Sequence, residues 1–188
     1  LLLPAVPSDA MAVCCFDGAE AGMRGLLNGF EFPAALADSM AAGKFKDFSS
    51  SRLAVSLHYS GDVEVLYLFD AGKSSAEPSH EASELMSYMR GRKMTVEFVD
   101  CSSAGSERDI LKHSVIIASE SDLLVKSAVR HLQKGISIME ASGFADAASS
   151  DKAGKLVTIS GVSNSAKLTF SLGTGDLNIS LPNSYTAN

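Results

Sequence analysis

The chain has 188 residues, 46% of them hydrophobic and 20% charged, with a formal net charge of −6. That length builds one medium domain or two small ones, and that composition buries a core, which excludes a disordered tail. The acidic balance, the lack of Trp and the absence of any Lys/Arg-rich block interleaved with aromatics exclude a nucleic-acid reader.

Ala10 to Phe16, AMAVCCF, is a continuous apolar run that predicts a buried strand. Asp17 with Glu20 three residues later opens a helix carrying Met23, Leu26 and Leu27, which Asn28-Gly29 ends. Pro33 to Ala42 reads as a second short helix, and Lys44 to Ser51 as a polar connection. Leu53 to Tyr59 and Val63 to Phe69 alternate as strands around the turn Ser60-Gly61-Asp62, a hairpin. Pro78 to Met89 is helical, with Ala82, Leu85, Met86 and Met89 on one stripe, and Met94 to Val99 is a strand. The basic cluster Arg90-Gly91-Arg92-Lys93 follows that helix, where cations suit the negative end of the dipole.

This order, β-α-β-β-α-β, predicts an α+β fold: antiparallel sheets with helices on one face, in a ferredoxin-like split βαβ unit over residues 1–102. Residues 103–188 then repeat strand, helix, short helix and hairpin. His113 to Ala118 is the strand. Ser119 with Asp122 caps a helix whose face is Leu123, Val125, Ala128, Val129 and Leu132, and Gly135 ends it. Met139 to Ala148 is the short helix. Leu156 to Ser160 and Lys167 to Leu172 form the hairpin about Ser163-Asn164-Ser165, and Leu177 to Leu181 is a last short strand. The second unit stops before its crossover helix, so it reads as incomplete and continued in a longer protein; a half-finished unit exposes strand edges.

Chemical motifs are partial throughout. Gly72-Lys73-Ser74 after an apolar strand suggests a phosphate-binding loop, whose backbone N–H groups wrap phosphates. The first Gly of that motif would fall on Tyr67, and Ser75-Ala76-Glu77-Pro78 delays the helix, so the stretch reads as a polar turn. His80 and Glu84 stand one helical turn apart, like half of a zinc protease motif, but Glu84 replaces its second His. Ser149 to Lys152 has the S-x-x-K spacing of penicillin-binding enzymes without its S-D-N and K-T-G companions.

Asp17 and Asp70 each end a predicted strand. In a ferredoxin-like sheet those strands are parallel neighbours, which would bring both carboxylates to one edge, where they could hold a cation or run acid–base chemistry; helix capping by Asp17 and a turn at Asp70 is the plainer role. His58, His113 and His131 lie on unrelated elements and read as partly buried or surface residues. Adjacent Cys14 and Cys15 point to opposite faces and are poorly placed to pair with each other, while either could meet Cys101 across neighbouring strands; buried free thiols are the simpler expectation. No catalytic, cofactor-binding or metal-binding residue is therefore assigned, and no cofactor is expected.

No segment reaches the roughly 18–20 apolar residues of a membrane span. The start, LLLPAVPSDA, is apolar but short and lacks a basic region. It reads as what remains after a signal peptide is removed, or as a plain chain boundary.

The stretch HLQKGISIMEASGFADAASSDKAGKLVTISG, His131 to Gly161, resembles large bacterial envelope proteins of unknown function, in which repeated α+β units follow a signal peptide or lipoprotein anchor. The opening LLLPAVPSDAMAVCCFD and the strand-to-helix entry IIASESDLLVKSAV are similar to the same proteins. The resemblance implies an exported protein, periplasmic or on the cell surface, with a lipid anchor upstream. It carries over no catalytic residue. The expected function is thus a non-catalytic binding or scaffold module for an unknown protein or envelope ligand. The alternatives are a hydrolase with a dispersed site and an assembly module that pairs its edge strands with a partner.

Overall fold

The computed structural model describes residues 2–10, 12–25, 27, 29–101, 112–140, 155–159 and 167–171. Among them, strands β1 (Ala12–Phe16), β2 (Leu53–Tyr59), β3 (Val63–Lys73), β4 (Thr95–Asp100), β5 (His113–Ser119), β6 (Lys155–Ile159) and β7 (Lys167–Ser171) form one sheet. Their order is β4-β5-β3-β2-β1-β6-β7, and every neighbouring pair is antiparallel. The helices are α1 (Ala19–Gly25), α2 (Glu31–Ala41), α3 (Lys46–Ser49), α4 (His80–Gly91) and α5 (Asp122–Gln133).

Alternation along the strands sorts side chains into two cores. Tyr67 and Phe69 of β3 and Ile116 and Ala118 of β5 join Met23, Leu36, Phe48, Leu85 and Met89 beneath α1 to α4. Leu66 and Leu68 of β3 and Val115 and Ile117 of β5 join Leu124, Val125, Ala128 and Leu132 of α5, together with the 3-10 turn Leu3–Ala5. Phe16 lies so close to α1 that a Cβ on Gly22 would overlap its ring, so the absent side chain sets the depth of that contact.

The α+β class, the antiparallel sheet and the order of elements are as the sequence predicts. The helices divide between the two faces, with α5 opposite the other four. Strands from residues 1–102 and 103–188 interleave, because β5 lies between β4 and β3. The first and third strands, expected as parallel neighbours, run in the same direction with β2 between them.

Two local readings also change. The connection Lys44 to Ser51 contains α3, held by the buried rings of Phe45 and Phe48. The expected turn at Gly72-Lys73 is instead the end of β3. There the register against β5 shifts between Asp70 and Lys73, Gly72 takes φ +83°, and its N–H donates to Asp70 Oδ1 at 2.9 Å. Ser149 to Lys152, most of the expected helix up to Ala148, the turn at Ser163 to Ser165 and the strand Leu177 to Leu181 lie outside the described residues.

The three long helices end alike. In α2, Gly43 N–H donates to Met40 O and Lys44 N–H to Ser39 O; in α4, Lys93 donates to Arg90 O and Met94 to Met89 O; in α5, Gly135 donates to Leu132 O and Ile136 to His131 O. These are Schellman closures, which place one residue in the left-handed region. Gly43 and Gly135 fill that position without strain, whereas Lys93 fills it at φ 63°.

Candidate functional site

The carboxylates singled out from the sequence do not meet. Phe16, Leu53 and Phe69 lie in register across β1, β2 and β3, so Asp17 and Asp70 follow at one end of the sheet, two strand spacings or about 10 Å apart. Asp70 pairs instead with His113, whose Nδ1 is 2.7 Å from Asp70 Oδ1. Beside them Ser74 Oγ donates to Asp100 Oδ1, and Ser75 N–H donates to Ser114 Oγ at 3.0 Å. Cys101 is buried near this group and its thiol is pushed up to about 11, by burial first and then by Asp100 and Asp70. Such a thiol stays protonated and is a poor nucleophile.

His80 Nε2 and Glu84 Oε1 are 3.5 Å apart on the exposed first turn of α4. Among the described residues no group of three His, Cys, Asp or Glu side chains is arranged to hold a metal ion. Cys14 and Cys15 face opposite cores, and Cys101 is a buried free thiol.

His58 and His131 do not stay apart, as their separate elements suggest; both converge on Asp9. His58 Nδ1 lies 3.4 Å and His131 Nδ1 3.9 Å from Asp9 Oδ1. On its other side, His58 Nε2 is 2.8 Å from Ser56 Oγ. The file Ser56–His58–Asp9 has the order of a nucleophile, a base and an orienting acid. Ser56 is 0% exposed, however, so an acyl substrate has no route to its hydroxyl in this conformation. The alternation Ser56-Leu57-His58 predicts that the two side chains share a face; the arrival of Asp9 from the amino-terminal turn is a tertiary event.

The residues that converge on an accessible cavity are different ones. At the end of the sheet where β3 begins and β5 finishes, a cleft of about 430 Å³ opens beneath the start of α2. Strand alternation brings Val63, Val65 and Tyr67 to one wall of it. Phe30, Phe32 and Pro33 come from the entry to α2, Met94 from the entry to β4, and Ser119, Glu120 and Ser121 from the link between β5 and α5. Phe32 packs edge-on against Tyr67, with ring centroids 5.0 Å apart and planes at 72°. Phe30 and Val63, each 60% exposed, leave an apolar lip at the mouth.

The serines of the cleft are already engaged. Ser119 Oγ donates to Val65 O at 2.7 Å and accepts from Ser121 N–H at 3.1 Å, while Ser121 Oγ caps α5 by accepting from Leu124 N–H. Tyr67 is different. It is only 9% exposed, and its hydroxyl makes no hydrogen bond to the described residues. Burial first, and then the charge of Glu120, push its phenol up to about 12, so it stays neutral and can both donate and accept.

No family model matches the chain, and no curated protein or solved structure is similar to it. The cleft therefore stands on its own geometry: concave, with an apolar and aromatic part beside a polar, acidic one. Sequence reading missed it because its residues come from four separated segments. The one local signal is Phe30-Glu31-Phe32-Pro33, two aromatics at a helix entry where one suffices as a staple.

Proposed function

We propose that the chain is a non-catalytic binding module and that its ligand, a small amphipathic molecule, sits in the cleft between the start of α2 and the start of β3. The observation that carries this reading is Tyr67: its side chain is nine-tenths buried, it lines the cavity, and its hydroxyl makes no hydrogen bond to the described residues. A ligand group that hydrogen-bonds this hydroxyl within the cleft gains about 0.5–1.5 kcal/mol.

The test is ligand-observed NMR with a set of neutral and charged single-ring fragments against the native chain and Phe30→Ala. Phe30 is exposed, so its replacement leaves the fold intact. Fragments that bind the native chain and weaken several-fold with Phe30→Ala support the reading. Absence of any binding at millimolar concentration removes it.

The hydrolase alternative draws on Ser56, His58 and Asp9, and the burial of Ser56 weighs against it. The assembly alternative draws on β4 and β7, which stand at the two margins of the sheet among the described residues. The resemblance of residues 131–161 and of the opening stretch to bacterial envelope proteins supports export to the periplasm or cell surface. Fractionation of cells making the full-length protein tests it, and a cytoplasmic location would overturn it. No helix of the described residues is long and apolar enough to cross a membrane.

A further inference from the structure

The charges around the cleft are all of one sign. Glu31, Glu64 and Glu120 line it, and no Lys, Arg or His does. None of the three carboxylates has a hydrogen bond or ion pair to the described residues, although elsewhere on the surface Glu20 meets Arg24 and Asp122 meets Lys126. An anionic ligand would meet three like charges here, and a neutral one would leave them unused.

The apolar part of the wall points the same way. Phe30, Phe32 and Tyr67 line the cleft, and an aromatic ring attracts a cation placed over its face. The Tyr67 side chain, nine-tenths buried and without a hydrogen bond to the described residues, lines the cleft, and its hydroxyl carries an oxygen lone pair. Aromatic faces, a free phenol oxygen and carboxylates at the rim together are complementary to one chemistry.

We propose that the cleft takes a small organic cation, an ammonium group carried on an apolar body about the size of one ring. This rests on the cleft being the binding site. The apolar body lies against Val65, Met94 and the Phe32 ring, and the ammonium group turns toward Tyr67 and the glutamates. The cavity of about 430 Å³ is at the small end of ligand sites, which suits such a molecule.

Three soluble probes of equal size decide it: benzylammonium, benzyl alcohol and benzoate, each titrated by NMR into the native chain and into Glu120→Gln. Glu120 is exposed, so this variant keeps the fold. Benzylammonium should bind about tenfold tighter than benzyl alcohol, with benzoate weaker than both. Glu120→Gln should weaken benzylammonium roughly threefold and leave benzyl alcohol unchanged, and added salt should act in the same direction as the variant. If benzyl alcohol or benzoate binds as tightly as benzylammonium, or if Glu120→Gln leaves the ammonium affinity unchanged, the cation assignment falls while the cleft remains the binding site. If none of the three binds, the binding reading falls, and the cation assignment with it.

Discussion

Asp9 faces two imidazoles. The nearer one, His58, holds its carboxyl below the usual value of 3.8, against the opposing effect of partial burial. A depressed folded-state value means that the pairing adds stability above pH 3.8 and that this increment is lost as the pH falls through the folded value. Asp9 is more than half exposed, so water screens the pair and the increment is small, at most about 1 kcal/mol. Asp9→Asn should therefore lower stability by up to about that amount at neutral pH and flatten the acid limb of the stability curve below about pH 4. Denaturant melts between pH 2.5 and 7 check this, and parallel acid limbs for variant and native chain would sink it. The cluster also shows where sequence reading stops. Ser56 and His58 share a face by alternation, which is visible in one strand; the third and fourth members arrive from the amino-terminal turn and from α5, and no spacing announces them. Asp70 and His113 meet in the same way, through the pairing of β3 with β5.

At the scale of the element, helix ends follow rules that a sequence partly displays. Gly43 and Gly135 mark the closures of α2 and α5 as glycines should. The closure of α4 has the same two hydrogen bonds with Lys93 at the left-handed position, and a side chain there costs about 1 kcal/mol. Lys93→Gly should thus raise stability by about 0.5–1 kcal/mol, less than the full relief because glycine also loosens the unfolded chain. Gly135→Ala should lower it by roughly the same amount, and paired urea titrations read both; an unstable Lys93→Gly would show that another contact fixes that turn. The strand Leu53–Tyr59 was legible to the residue, although its first four residues are all buried because both faces of the sheet are covered there. The end of β3 was not, because Asp70 to Lys73 has turn composition, and the partner strand β5 holds it extended through a shifted register. Similarly, Leu123 is 78% exposed and Leu124 is buried in its place, since the capping serine proved to be Ser121 and the start of the helix moved with it.

For the whole molecule, the sheet separates two apolar layers that share a backbone and little else. Ile116 and Ile117 are adjacent on β5, both fully buried, one in each layer. Ile116→Val and Ile117→Val should each cost about 0.5–1.5 kcal/mol, and the double variant should cost their sum within about 0.5 kcal/mol. Both should leave one cooperative transition, since neither layer can persist without the strands between them. A coupling well above that margin, or two transitions by calorimetry, would show that the layers are not organised around β5. The α+β class and antiparallel strands were legible because period-two and period-3.6 patterns are local. Strand order was not, because pairing depends on loop paths and packing of both faces, and a hairpin such as β2-β3 says nothing about what lies beyond it.

The place of β5 between β3 and β4 has a consequence for the chain as it is synthesised. When β4 leaves the ribosome, β3 has an open margin beside it that β4 does not take in the finished sheet. Both must wait for His113–Ser119, which joins each of them at once. The amino-terminal strand waits longer still: β1 keeps one margin bare until Lys155–Ile159 emerges to cover it. A nascent chain that pauses before that point offers two unpaired strand margins to a chaperone or to its neighbour on the polysome, so the order of the strands makes release a late event.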